Sequence, residues 1–274
     1  MNLPEIKQTI DEKITGVWIA EHDEYGHKYR NTRTNKTQVS VTTKLQVISR
    51  PHLIPWAVKC GALWLMEGDR AQKLLNPNAT EAMIQGMQMA STDIRDSAGG
   101  LGTQAHNAIE RYINEWTALG KLPEDIKAFA KPTDEAGAIA SMRAAEKWFK
   151  SKDIVPVVAE ILVGNDKFSA GQLDFLCLLD GELTLIDHKT SNSIDKNGYS
   201  MQVAAYKNFF EEMTGLKIKK AKILHLSKDY DKFEVWDVKN IPSAYKAFKS
   251  VCALYDWMSS NKDKIIKDIK RLSI

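Results

Sequence analysis

Apolar positions along this chain recur in two periods. From Trp56 to Glu67 they fall at Trp56, Cys60, Leu63 and Trp64, the spacing of a helix packed by one face. Ala105, Ile109, Tyr112, Ile113 and Trp116 make a stronger stripe of the same kind. A helix over Ala136–Lys150 would bury Ile139, Met142 and Trp148 or Phe149. Two more are expected, at about Tyr199–Met213 and at Ile241–Met258. Alternating or near-continuous apolar runs predict strands at Val155–Val163, Phe168–Leu179, Glu182–Lys189, Ala221–Leu226 and Phe233–Val238. Nearer the N-terminus, Thr15–Ala20 and Gln38–Thr43 read as short strands. The polar, turn-rich Glu21–Thr37 then forms the long tip of a hairpin between them. Asn76-Pro77-Asn78 is a break, and Thr80 is a candidate cap for a helix through Met89. Gly99-Gly100-Leu101-Gly102 reads as a flexible stretch ahead of the strong helix.

These elements predict an α/β protein with a central mixed sheet flanked by helices. One domain spans 1–274. Within it, 1–92 form a hairpin and helical elaboration, 93–258 the core, and 259–274 a basic tail or helix.

Two of the strands flank Asp180-Gly181, a dipeptide that favours a two-residue hairpin turn. In a regular hairpin Leu179 faces Glu182. Counting back, Asp174 faces Asp187, and Gln172 faces Lys189. Directly opposed side chains have Cβ atoms about 4.5–5.5 Å apart, and like charges there destabilise a sheet unless something binds them. Lys189, two residues beyond Asp187, points to the same face. Two carboxylates and an amine thus converge where a hard divalent cation, Mg²⁺ or Mn²⁺, would sit. A buried Asp–Lys ion pair would account for Asp187 and Lys189 but leaves Asp174 unexplained. The backbone carbonyl of His188 is a further candidate ligand, its side chain facing the other way. Lys189 is placed to orient or deprotonate a water or to stabilise charge on a phosphoryl oxygen.

Other chemistry-bearing residues border this hairpin. Glu160 is the one charged residue in its strand; it either extends the acidic site as a ligand or lies at a solvated edge. His106 and Glu110 are one helical turn apart beside the apolar stripe, and histidine suits Mn²⁺ better than Mg²⁺. A histidine in that place is more often a core or cap residue. Gly102-Thr103 just before it would let a helix start approach a phosphate. Gln202 can hydrogen-bond a water or a scissile phosphate. Tyr206, one turn on, either stacks on a base or packs on the sheet.

Composition narrows the setting. Lys plus Arg number 38 and Asp plus Glu 35, so a formal charge of +3 gives only a weak global argument for nucleic acid. Lysines cluster at Lys217, Lys219, Lys220 and Lys222 and again over Asn261–Arg271, a pattern that solvated surface also explains. The three cysteines, Cys60, Cys177 and Cys252, form no CxxC pair, so neither a disulfide framework nor a zinc or iron–sulfur site is expected. Cys177 reads as a small core residue. The N-terminus lacks an apolar signal core and is too acidic for a transit peptide. No run approaches a membrane span, which leaves a cytoplasmic setting as the expectation.

Gly171-x-x-Asp174, Asp187-x-Lys189 and Gln202-x-x-x-Tyr206, in that order, resemble the core of the PD-(D/E)XK (restriction-endonuclease-like) nucleases of the RecB type. Gly102-Thr103-x-x-His106-x-x-x-Glu110 resembles the helical motif that carries their metal-binding histidine. Glu160 matches their acidic strand residue. Ser40-Val41-Thr42-Thr43-x-Leu45 and Pro51-x-Leu53-x-x-Trp56-Ala57 are similar to the mitochondrial genome maintenance exonuclease and related phage or bacterial exonucleases.

The resemblance implies a Mg²⁺- or Mn²⁺-dependent deoxyribonuclease acting on single-stranded or duplex DNA ends. It implies His106, Asp174 and Asp187 as ligands and Lys189 as catalytic amine, with Glu160 and Gln202 in support. Thr103, Thr190 and Tyr206 are the expected nucleic-acid contacts. A structure-specific endonuclease on the same fold, or a DNA-binding protein without cleavage, are the alternatives. Asp187 stands where glutamate is commoner. The cysteine cluster that holds an iron–sulfur centre in some relatives is absent. No helicase motif is present, so unwinding falls to a helicase, single-strand-binding or recombination partner. The N-terminus favours a bacterial or phage setting.

Overall fold

The computed structural model describes residues 2–23, 26–51, 53–191 and 195–272. The chain divides into two compact units, 1–48 with 105–274, and 49–104. Among the described residues no helix is long and apolar enough to cross a membrane.

The larger unit opens with α1 (Leu3–Lys13). Its start is a capping box: Asn2 Oδ1 accepts from the Glu5 N–H, and Glu5 Oε2 accepts from the Asn2 N–H, both at 3.0 Å. It is not among the expected elements, although Leu3, Ile6, Ile10 and Ile14 recur at helical spacing; Ile6, Ile10 and Ile14 join the main core. A three-stranded antiparallel sheet follows, β1 (Trp18–Asp23), β2 (Gly26–Asn31) and β3 (Thr37–Val39), in that spatial order. The polar segment expected to be a hairpin tip therefore contains β2. A sheet with one solvated face lets a strand be polar except for one anchor, here the buried Tyr29. The expected strand Gln38–Thr43 breaks at Ser40, whose Oγ accepts from the Thr43 N–H at 2.8 Å and caps the short helix α2 (Val41–Leu45).

The smaller unit contains α3 (Leu53–Leu65), α4 (Arg70–Leu74) and the first part of α5 (Thr80–Leu119). Gly86 lies against the Trp64 ring, where a Cβ would come 2.1 Å from it. Arg70 covers that ring at 4.3 Å and donates to Trp64 O. The two helices expected at Thr80–Met89 and after Gly102 are one continuous α5. Thr80 does not cap it by accepting; its hydroxyl donates to Leu74 O and Asn76 O. Three glycines at 99, 100 and 102 each disfavour helix by about 1 kcal/mol relative to alanine. Long helical flanks on both sides carry the helix through, because propagation costs far less than a new start.

The rest of the larger unit comprises α6 (Ala136–Lys150), β4 (Ile154–Asn165), β5 (Ser169–Leu179), β6 (Glu182–Lys189), α7 (Lys196–Thr214), β7 (Lys220–Leu226), β8 (Phe233–Asp237) and α8 (Ile241–Leu272). The five strands form one mixed sheet in sequence order, antiparallel except for β6 with β7. This is the mixed α/β architecture the pattern predicts.

One face carries Leu176, Leu185 and Ile223 against Val203, Phe209 and Phe210 of α7 and Phe248 of α8. The other carries Phe175, which meets Phe149 of α6 edge-on at 5.9 Å; Tyr112 and Trp116 of α5 surround Phe149. Cys177 is fully buried in β5. Helix α8 runs beyond the expected Met258, and the side chains of the Lys-rich stretch after Asn261 lie outside the described residues.

Candidate metal centre

The β5–β6 turn has the predicted geometry. Asp180 (φ +53°) and Gly181 (φ +75°) are both left-handed, as a type I′ turn requires. The ladder runs in the expected register from Leu179↔Glu182 to Phe175↔Ile186 and stops there. Asp174 and Asp187 come next. They are not a paired row, and Gln172 is not paired with Lys189. Asp174 Oδ2 instead accepts the His188 N–H at 2.7 Å, so a carboxylate replaces a strand carbonyl. The strands part because two opposed carboxylates repel and a side-chain bridge is longer than a backbone one.

The other side of β5 opens at the same level. Ala159 pairs with Phe175 and Ile161 with Leu173, leaving Glu160 outside the ladder opposite Asp174. Glu160 is held at φ +52°, a strained conformation for a non-glycine residue. Its side chain is partly buried. Its ionisation is opposed by burial and then by Asp174, Glu110 and Asp187, which together push it up to about 9.

The remaining predicted residues converge unevenly. His106 Nδ1 is 3.8 Å from Asp174 Oδ2. Lys189 Nζ is 2.6 Å from Asp187 Oδ2, and Asp187 Oδ1 is buried with no hydrogen-bond partner. Gln202 Nε2 donates to Tyr206 Oη at 3.3 Å, both side chains buried. Helix α7 aims them: Asp195 caps it by accepting from the Gly198 N–H at 2.9 Å. Thr190 is buried just past β6. Thr103 is exposed in the interior of α5, its hydroxyl bonded to Gly99 O at 3.2 Å. No glycine-led helix start exists there to meet a phosphate.

Electrostatics make this a cluster of groups that cannot all be charged. Burial raises Asp174 despite Lys189 and the His188 N–H. Burial and Asp174 lift Asp187 to about 6, against the pull of Lys189 and His106. Burial and the Lys189 charge hold His106 down at about 4. Burial works against the Lys189 charge as well, but Asp187 and Asp174 outweigh it and raise that amine. The neighbouring carboxylates thus favour the protonated amine.

A divalent cation fits these donors. Oxygen-rich surroundings with one imidazole suit Mg²⁺ or Mn²⁺, and a cation would partner the orphaned Asp187 oxygen. The imidazole of His188 also enters, which strand alternation did not foresee. It points to the predicted opposite face and stacks on Phe175 at 6.3 Å. Yet the ligand atoms of His106, Asp174 and His188 lie within 4.8 Å of one another, and His188 Nε2 has no partner. Tyr29 is a second addition. Burial and then Glu160 raise its hydroxyl, so the N-terminal sheet reaches the acidic cluster. No local pattern in the sequence signals it.

Gly171 shows how tightly the surroundings are built. A Cβ there would lie 2.8 Å from Tyr206 Cε1 and 3.0 Å from its Oη. Gly171→Ala is expected to displace Tyr206 and lower stability by about 1–3 kcal/mol, measured by urea unfolding. An unchanged midpoint would mean that Tyr206 has room to move. The basic cluster offers less to an anion than its count suggests. Lys217 pairs with Glu211, Lys220 with Glu182 and Lys222 with Asp237.

No protein-family model matches the chain, and no curated protein matches it. Among solved structures, the crystal structure of SSO0001 is similar over 55% of this chain and 74% of its own, at 14% identity and a TM-score of 0.27. A likeness at that level says nothing about function.

Proposed function

We propose that this protein is a metal-dependent deoxyribonuclease with a PD-(D/E)XK core, hydrolysing phosphodiester bonds from DNA ends. One observation carries the reading. Lys189 pairs with Asp187, Asp174 lies within the same buried cluster, and Asp187 Oδ1 has no hydrogen-bond partner. The Lys189 contact engages only Oδ2, and a cation would partner the other oxygen. The mixed sheet with helices on both faces supports the same core.

Asp174, Asp187 and His106 would hold the cation, with Glu160 and the His188 backbone carbonyl as further ligands. A cation held by these residues would supply Lewis-acid polarisation of a phosphoryl oxygen and a more acidic water. Lys189 donates its proton-bearing amine to the developing charge on phosphorus-bound oxygen. Gln202 and Tyr206 bond the attacking water or the scissile phosphate, and the buried surroundings exclude competing solvent. A bacterial or phage-infected cytoplasm and a helicase, single-strand-binding or recombination partner suit such an enzyme.

Digestion of end-labelled single- and double-stranded DNA with Mg²⁺ and with Mn²⁺ tests this. Wild type should release products from ends and spare a closed single-stranded circle. Asp174→Ala should cleave nothing yet still bind DNA, with affinity that weakens as salt rises. Cutting of the circle would replace the exonuclease with an endonuclease. Equal inertness of wild type and Lys189→Ala on every substrate would leave binding alone.

A further inference from the structure

The sheet register places an aromatic residue beside the metal centre that the proposed chemistry does not use. Asp187 of β6 pairs with Ile223 of β7, and Ile223 pairs with Trp236 of β8. Residues paired across a ladder share a face. Trp236 therefore stands on the face of Asp187, two strands away, about 10 Å at the usual strand spacing. The next row, Lys189, His225 and Glu234, lies on that face too.

Side-chain contacts link the two ends of this row. The Lys189 amine lies over the Tyr199 ring at 5.0 Å, and Tyr199 Oη is 3.0 Å from Ser191 Oγ. His225 Nε2 is 2.6 Å from Ser191 O, and the His225 and Trp236 rings are tilted at 6.1 Å. The Lys196 amine, at the start of α7, lies over the Trp236 ring at 4.9 Å. Lys189, Tyr199, Ser191, His225, Trp236 and Lys196 thus form a continuous run of contacts from Lys189 to β8. That strand is the sheet edge, and its tryptophan is only partly buried. Glu234 on the same strand is turned outward, its side chain 65% exposed and 4.0 Å from His225 Nδ1.

We propose that Trp236 is a base-stacking platform for the strand that enters the metal centre, with Lys196 as its phosphate contact. This rests on the nuclease reading and names how that site grips its substrate. Every base has a π face, so an indole here holds a strand without reading its sequence. The ring is within reach of the nucleotides adjoining the one whose phosphate lies at Asp174 and Asp187. Lys196 covers the ring when no strand is present. An arriving phosphate offers that ammonium a charge-assisted hydrogen bond and frees the ring for the base.

The test measures binding of a labelled single-stranded oligonucleotide to protein carrying Asp174→Ala, so that nothing is cut. Trp236→Leu keeps apolar cover over Ile223 but removes the ring. It should weaken binding about five- to a hundred-fold, the range for loss of one stacked base. Trp236→Phe should lose much less. Lys196→Ala should lower the salt slope of binding by about one. An oligonucleotide with one abasic position, moved along the strand, should show one position where protein retaining Trp236 loses the same affinity and Trp236→Leu loses none. That arm needs no altered platform to fold. Equal affinities for the intact strand with and without the Trp236→Leu substitution, or no abasic position that matters, would overturn the platform alone. Wild type that neither binds nor cuts DNA would overturn the nuclease reading with it.

Discussion

Asp187→Asn should abolish metal-dependent cleavage while leaving the metal-free protein more stable than wild type. The loss should exceed about 100-fold, the upper effect of removing a group that only orients a ligand. The gain follows from the charges. With Glu160 protonated and the imidazoles neutral, the cluster holds two carboxylates against the single Lys189 ammonium. Asp187 is buried, its ionisation is opposed by Asp174, and Oδ1 has no hydrogen-bond partner. Asparagine leaves Asp174 to balance Lys189 and removes the surplus charge. Thermal unfolding in EDTA should show a raised midpoint, and the further rise that Mn²⁺ gives wild type should vanish. If Asp187 and Lys189 were instead a structural pair, the variant would lose about 3–5 kcal/mol, the usual result of breaking a buried ion pair. A lowered midpoint in EDTA would therefore sink the metal site.

Metal-free stability should fall as pH rises from about 7 to 9, and Mg²⁺ should raise the unfolding midpoint more at pH 9 than at pH 7. A carboxyl whose folded-state pKa is raised binds its proton more tightly in the folded protein. Its contribution is greatest below the unfolded value and is lost as pH climbs to the folded one. Asp187 spans the window from about 4 to about 6. There His106, held down at about 4, works in the opposite sense, since unfolding lets it take up a proton. Well above about 6.5 the imidazoles are largely neutral in both states, and Glu160 carries the fall up to about 9. A cation displaces these protons, so its stabilisation grows with pH. Glu160→Gln should flatten the profile between pH 7 and 9, measured by thermal unfolding in EDTA. A slope unchanged by that substitution would remove Glu160 from the cluster.

The centre of the site was legible because strand alternation and turn chemistry are local. Asp180-Gly181 sets the β5–β6 register, and period two puts Asp187 and Lys189 on one face. Helical spacing likewise aligned Gln202 with Tyr206 and His106 with Glu110. Where long-range pairing decided, the pattern fell short. Alternation carried Asp174 into a direct pair with Asp187, whereas repulsion and the His188 N–H open the ladder one step earlier. The His188 imidazole lies within ligand reach of His106 and Asp174, a contact between distant elements.

Composition misled in two places. Polar residues hid β2, which needs only Tyr29 as an anchor, and three glycines suggested a break that α5 does not make. The turn, the shared face of Asp187 and Lys189, and the donor types follow from residues close along the chain. Long-range pairing sets the φ +52° of Glu160, the approach of Tyr29 to Glu160, and the shared face of Trp236 and Asp187. Each of those depends on how strands distant in sequence pair and where a ladder gives way, energies that no local pattern contains.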